Sequence, residues 1–323
     1  MKMKVLQIIP TFGQNCGVAF FAATLHEQMK KIGVEVQDHP TLNGDIPPAD
    51  IVLLHHHSDL LDDESVRSLC EKSPCPVVLF AHSDGIELLF NVVDGFAAMC
   101  PGMIPETDRP AYIFSHPAWT PEALEERAAL RDFFKLPKYS RIIGTNGFLK
   151  FERQFVEILD ELLPAARDND WFIYLITSPW YIDSPGLIPK LEGLQSAYPA
   201  YFRFENAYWD RRTLNRKLQA CDLLWCWTWA ASSPYASGVI SDQYASGTRI
   251  FAADKWQHRH VLELPNVVRG PNKLEPFIEQ LIIEIKSGIC RRHDPSPLSW
   301  EKCIYKMTSF LADICSNRQV ISI

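Results

Sequence analysis

No run of roughly 18 or more apolar residues occurs in this chain, so no segment reads as a transmembrane helix. The start, Met1-Lys-Met-Lys, leads straight into Val5-Leu-Gln-Ile-Ile9. It lacks the long apolar core and small-residue cleavage site of a secretory leader, which points to a cytoplasmic protein and leaves peripheral membrane association open. Cys-x-x-Cys is absent. The nine cysteines, at 16, 70, 75, 100, 221, 226, 290, 303 and 315, are scattered and odd in number. That reads as free buried thiols in a reducing compartment, not as a zinc site or a disulfide framework. Excess positive charge is missing too, at net −7. A surface gripping nucleic acid all over is thereby disfavoured, though a local basic groove is compatible. No Asp-x-Asp motif falls in a loop suited to holding a divalent ion against a diphosphate, so no metal and no resident cofactor are expected. Short-period repeats and low-complexity tracts are also absent.

What is present is an α/β alternation long enough for two domains. The chain has 323 residues, 47% of them apolar. Val18, Phe21, Ala22, Leu25, Met29 and Ile32 recur at helical spacing up to Gly33. Short apolar runs at 51–54, 77–80, 96–99 and 111–114 suit parallel strands covered on both faces. After Lys135-Leu-Pro-Lys-Tyr139, a plausible linker, a second series follows near 141–144, 171–176, 202–204, 223–227 and 248–252. This predicts two doubly wound Rossmann-like domains, 1–138 and 139–299, followed by a C-terminal helical segment, 300–323.

The most informative stretch is Phe204 to Asp254. An amphipathic helix over 213–221 precedes the buried strand Asp222-Leu-Leu-Trp-Cys-Trp227. A small-residue loop, Ser232-Ser-Pro-Tyr-Ala-Ser-Gly238, opens into a helix from Val239 that stops at Gly247. A strand ending in such a loop before a helix builds an anion site, because N–H groups and the helix dipole point at the ligand. Gly144-Thr-Asn-Gly147-Phe-Leu-Lys150-Phe-Glu-Arg153 supplies cations near a second strand end. His82 ends a predicted strand, where cleft residues collect. His55-His-His57 follows another, with His55 and His57 expected on one side as strand-end packing or acceptor-site polar residues. Trp225, Trp227 and Trp229 alternate as core residues, with Trp229 the one able to reach a cleft. The cluster Arg211-Arg212, Arg216-Lys217 reads as a solvated helix face.

These segments resemble the GT-B glycosyltransferases, in the large retaining group that includes sucrose and mannosyl transferases. Pro10-Thr-Phe-Gly13-Gln-Asn-Cys16-Gly17-Val-Ala19 resembles the Cys-Gly-Ile-Ala variant of a bacterial subgroup. The Gly147 segment is similar to the family's Gly-Arg followed after four residues by Lys. Matching from Gly147 puts the Arg on Phe148 and the Lys on Arg153. The family's paired acids, seven residues apart, fall on Pro234 and Asp242. The resemblance covers nearly the whole chain.

It implies a metal-independent, retaining glycosyltransferase with a nucleotide-sugar as co-substrate and an interdomain cleft. The last helix would cross back to the N-terminal domain. Arg153 and Lys150 would hold the diphosphate, with close backbone approach at Gly17 and Gly147. The N–H groups of Ser237, Gly238 and Val239 would face phosphate, Asp242 would hold the ribose, and His82 would touch the sugar. Arg153 and His82 are the expected catalytic residues. Ala207 and Tyr208 backbone, with the Ser178-Pro-Trp180 loop, would meet the base. The acceptor is left open among glycan, lipid-linked glycan, small molecule and nucleic acid. Rival readings are a non-catalytic sugar-nucleotide-binding protein, a nucleic-acid or nucleoside glycosyltransferase, and a hydrolysing sugar-nucleotide epimerase.

Overall fold

The computed structural model describes residues 2–10, 17–42, 46–57, 61–82, 86, 89, 91–100, 103–104, 106–138, 140–180, 183–229 and 236–321. In chain order it forms β1 (Lys4–Ile8), α1 (Gly17–Lys31), β2 (Glu35–His39), β3 (Ile51–His56), α2 (Asp63–Lys72), β4 (Val77–Ala81), β5 (Gly95–Ala98) and β6 (Ala111–Ile113). There follow α3 (Arg127–Phe133), β7 (Arg141–Phe148), α4 (Phe155–Asn169), β8 (Trp171–Ser178), α5 (Ser184–Ala197), β9 (Phe202–Asn206) and α6 (Arg211–Gln219). Last come β10 (Leu223–Cys226), α7 (Gly238–Ala245), β11 (Arg249–Ala253), α8 (Arg259–Leu262), β12 (Val267–Gly270), α9 (Leu274–Lys286) and α10 (Trp300–Ile321).

The chain divides into two compact units, each built on a parallel sheet of six described strands. In the first the order is β2-β1-β3-β4-β5-β6. One face of that sheet, with Val5, Leu53, Val78, Phe80, Ala97 and Phe114, buries against Phe21, Leu25 and Met29 of α1 and Ile304, Met307, Leu311 and Ile314 of α10. The C-terminal helix α10 is thus part of the first unit's core. Its approach explains Gly95, where an added Cβ would lie 2.6 Å from Ile314 Cδ1.

The second unit has the order β12-β11-β10-β7-β8-β9. Its strands are apolar throughout because both faces are covered. Along β8, Trp171, Ile173 and Leu175 face α4, α5 and α9. The intervening Phe172, Tyr174 and Ile176 face the other way, toward Leu130, Leu218, Ile240 and Tyr244 of α3, α6 and α7. Period-two alternation of side chains produces both cores from one continuous hydrophobic run.

The units part at His116 and Pro117, ahead of the linker read from the sequence at 135–139. The physical reason is that α3 packs on the second sheet: Leu130 and Leu136 are buried there, and Arg131 donates to Ala220 O at 3.1 Å. Asp168-Asn169-Asp170 is an Asp-x-Asp, but it lies where α4 leads into the amino end of β8. No helix among the described residues is long and apolar enough to cross a membrane.

Candidate functional site

In the second sheet the chain runs outward from β7 to β8 and β9, then returns to β10 on the other side of β7. The connections leaving β7 and β10 therefore diverge, which opens a crevice at their carboxyl ends. Gly147, near the end of β7, has φ +133°, and a Cβ there would be 3.1 Å from Val239 Cγ2. Both facts call for glycine. The same site lies 3.8 Å from Arg153 Nε. The structure thus brings Gly147, Arg153 and the first turn of α7 together.

Arg153 closes a 3-10 turn, Phe151–Arg153, and its Nη1 donates to Trp227 O at 3.0 Å. A guanidinium has five N–H donors in a rigid fork, so one anchored nitrogen aims the rest of the plane. The turn is tied to the end of β10 twice more. Trp227 Nε1 donates to Gln154 Oε1 at 3.0 Å, and Trp229 N–H donates to Glu152 O at 2.6 Å. Behind Arg153 lie two buried groups. His258 donates from Nδ1 to Ala253 O at 2.8 Å and accepts at Nε2 from Cys226 Sγ at 3.3 Å. Burial lowers His258 to about 3, so this ring is neutral near pH 7. Burial also pushes the Cys226 thiol up to about 11, against the pull of Arg153.

Lys150 Nζ sits 3.9 Å from the centroid of the Trp180 ring, and Phe148 packs on that ring at 5.4 Å. The position where the resemblance expects a cation therefore carries a phenyl ring that is 42% exposed. Tyr208 is largely exposed, and its hydroxyl donates to Pro179 O at 3.0 Å, so the two loops expected to meet a base are neighbours.

Three expectations need correction. The Ser237 N–H donates to Gln257 O at 2.9 Å, so it does not face a phosphate. The backbone donors at this helix end begin with Gly238 and Val239, since the first N–H groups of a helix have no intrahelical acceptor. The Ala207 N–H donates to Thr177 O of β8 at 3.0 Å and is committed there, whereas its carbonyl, which accepts from Ser178 Oγ at 3.3 Å, keeps a second lone pair. The basic cluster is a solvated face at Arg211 and Arg212, which are exposed, but not at Arg216 and Lys217. Arg211 Nη1 donates to both oxygens of Asp242 at 2.6 and 2.7 Å, Arg216 pairs with Glu125 at 2.7 Å, and Lys217 is buried.

Asp242, one turn into α7, is thus already paired. Burial raises its carboxyl pKa, and the Arg211 guanidinium pulls it back down. A carboxylate offers about four lone-pair sites, so Asp242 keeps acceptor capacity beside Arg211. Sequence reasoning missed Gln243, which is buried and donates from Nε2 to Trp225 O at 2.9 Å. Trp225 and Trp227 are buried, and Trp229 is 67% exposed. Pro234 and the loop 230–235 lie outside the described residues, as does 11–16 before Gly17, which opens α1.

The first sheet has its own reversal of strand order, between β1 and β3. Gln7 on β1, His55 on β3 and His82 just beyond β4 gather at that end. His55 Nδ1 is 3.0 Å from His82 Nε2, and His55 Nε2 is 2.8 Å from Gln7 Oε1. His55 and His56 are both buried, as expected where β3 is covered on both faces. Burial lowers His55 to about 3 and holds His82 well below the usual histidine range, with His55 and His116 adding to the effect. Phe21 packs edge-on against His82 at 5.4 Å. Among the described residues no group of three or more His, Cys, Asp or Glu side chains is placed to hold a metal.

No protein-family model and no curated protein matches the sequence significantly. Solved structures do. Sucrose-phosphate synthase from Thermosynechococcus elongatus superposes with a TM-score of 0.70 at 12% identity, over 99% of this chain and 100% of that one. HepE from Anabaena, crystallised with UDP-glucose, gives 0.60 at 12% identity, over 98% and 100%. A glycosyltransferase from Rickettsia africae gives 0.59 at 12% identity, over 99% and 97%. Two parallel six-stranded sheets in this chain order, matched end to end by these proteins, give the chain the GT-B fold of glycosyltransferases.

Proposed function

We propose that the protein is a glycosyltransferase that transfers a sugar from a nucleotide-sugar donor, with retention and without a metal ion. The observation that carries this reading is the convergence of Arg153, Gly147 and the start of α7 at the β7–β10 crevice. In such a reaction the diphosphate leaving group gains negative charge as the glycosidic bond breaks. A fixed guanidinium and helix N–H groups stabilise that charge where it develops, and a metal is not required for it. Lys150, on the same loop, adds a second cation that can leave the Trp180 face at modest cost, about 0.5–1 kcal/mol. Asp242 offers oxygens to the ribose hydroxyls, and His82 offers a ring nitrogen to the sugar. HepE was crystallised with UDP-glucose, which supports a UDP-sugar as the first donor to try. The expected compartment is the cytoplasm.

A second reading, sugar-nucleotide binding without turnover, is favoured by the exposed phenyl ring of Phe148 at the expected cation position. One experiment separates the two. Nucleotide-sugars are screened for thermal stabilisation, and each binder is tested for donor turnover with and without chelator. A ligand at 100 times its Kd adds about 2.7 kcal/mol to stability. The proposal expects a stabilising UDP-sugar whose consumption continues in chelator. Stabilisation without turnover would favour the binding protein. Turnover restored only by a divalent ion would contradict the metal-free mechanism.

A further inference from the structure

The hydrogen-bond chain through Gln7, His55 and His82 has one direction. Gln7 Nε2 lies 3.0 Å from Asp38 Oδ1 and 3.3 Å from Ala22 O, both of which only accept. The amide end of Gln7 must therefore point at them, and its carbonyl oxygen at His55. Flipping the amide would set Oε1 against two oxygens. Because Gln7 Oε1 can only accept, the proton on His55 must sit on Nε2, at 2.8 Å. A neutral imidazole has one N–H, so His55 Nδ1 carries a lone pair. That lone pair faces His82 Nε2 at 3.0 Å, and His82 must in turn be the donor there.

We propose that Gln7 and His55 are positioning residues that hold His82 as the Nε2–H tautomer, making its Nδ1 a hydrogen-bond acceptor for a sugar hydroxyl. His55 is fully buried while His82 is partly exposed, so His82 is the member of the chain that a ligand can reach. The placement at the strand-order reversal of the first sheet is where ligands bind in such sheets. Burial keeps both rings neutral, so the chain is not scrambled by a second proton near pH 7. Second partners that fix a histidine's tautomer are a general device for setting what its other nitrogen does. An acceptor at this point accepts an O–H and repels a fluorine, which cannot donate. The sugar part of this inference rests on the glycosyltransferase reading, whereas the tautomer part does not.

Long-range ¹H–¹⁵N NMR of the full chain tests it, with His82 assigned by comparison with His82→Asn. The expected wild-type spectrum shows a protonated Nε2 and a bare Nδ1 on His82. In Gln7→Met, which keeps length but cannot accept from His55, His82 should become a mixture of tautomers. His55→Phe, which removes the acceptor for His82 Nε2–H, should do the same and serves if the first variant fails to fold. A wild-type Nδ1–H on His82, or folded variants with an unchanged tautomer, would overturn the proposal. In the second arm, UDP-glucose is compared with its monodeoxyfluoro analogues by calorimetry. One analogue should bind the wild type at least about tenfold more weakly than UDP-glucose, and Gln7→Met should narrow that gap. Equal binding of every analogue by a wild type that binds UDP-glucose would overturn the acceptor role at the sugar. If no UDP-sugar binds while the tautomer is as stated, the donor assignment fails and the Gln7–His55 control of His82 stands.

Discussion

Arg153 is the residue whose sequence reading and placement bear most directly on chemistry. It was legible because a cation in the first turn after a strand has no dipole reason to be there. Its anchor on Trp227 O was not, since nothing local links residues 153 and 227. Arg153→Ala should retain fold and lose donor turnover by roughly 30- to 1000-fold, about 2–4 kcal/mol of transition-state stabilisation. Steady-state turnover, beside a thermal melt showing a folded variant, checks it, and wild-type rates would remove Arg153 from the site. His258, behind it, supports a pH prediction. The unfolded chain takes a proton on this ring near its ordinary value of 6.5, whereas burial delays uptake in the folded protein to about 3. Stability contributed by the neutral ring is therefore complete above pH 6.5 and lost progressively as pH falls toward 3. The slope is up to about 1.4 kcal/mol per pH unit for one such proton. Urea denaturation at several pH values between 7 and 4 should show a shallower acid decline in His258→Gln than in wild type. Parallel declines would mean that His258 is protonated in the native state.

Strands and helices were largely legible, because two-sided burial leaves an unbroken apolar run that polar loops interrupt. What failed was half of the reading of α6, since Arg211 and Arg212 are exposed but Lys217 is buried. Arg211, Arg212, Arg216 and Lys217 look like a solvated face when only their own helix is considered. Tertiary partners decide otherwise: Lys217 Nζ is 2.9 Å from Tyr174 Oη and 2.5 Å from Glu205 Oε2. Those partners come from β8 and β9, too far along the chain to be inferred from helix periodicity. Glu205 is shared, since Arg203 Nη2 lies 2.7 Å from its other oxygen. This makes the network asymmetric. Burial lowers the Lys217 pKa, and Glu205 is what raises it back. Glu205→Gln leaves the buried ammonium with no anion and should cost about 3–5 kcal/mol. Lys217→Met leaves Glu205 paired with Arg203 and should cost clearly less. Denaturation midpoints of the two single variants test this directly, and equal losses would mean that Arg203 does not compensate for Lys217.

At the scale of the molecule, the two-sheet plan could be read from the alternation of elements, and the site half from the order of loops after strands. The division of the chain could not, because contacts and not composition set it: α3 precedes the linker read from the sequence and so falls in the first domain until Leu130 and Leu136 are seen buried on the second sheet. Chain connectivity yields the remaining prediction. The first unit is discontinuous, since α10 follows the whole of the second unit in sequence yet contributes Ile304, Met307, Leu311 and Ile314 to the first unit's core. Burying such side chains stabilises by about 1.5–3 kcal/mol each, on the order of 6–12 kcal/mol for the four. A domain's whole net stability is typically about 5–15 kcal/mol. A chain ending at Ser299 should therefore lose the fold of its first sheet. None of the buried residues in the two cores flanking the second sheet comes from α10, so β7–β12 should stay folded. Hydrogen exchange on the truncated chain should show unprotected amides in β1, β3 and β4 and protected ones in β7, β8 and β10. Supplying α10 as a separate peptide should restore protection to the first set. A truncated chain that keeps full protection in β1, β3 and β4 would show that the first sheet is stable without α10, and that the helix only covers a core already formed.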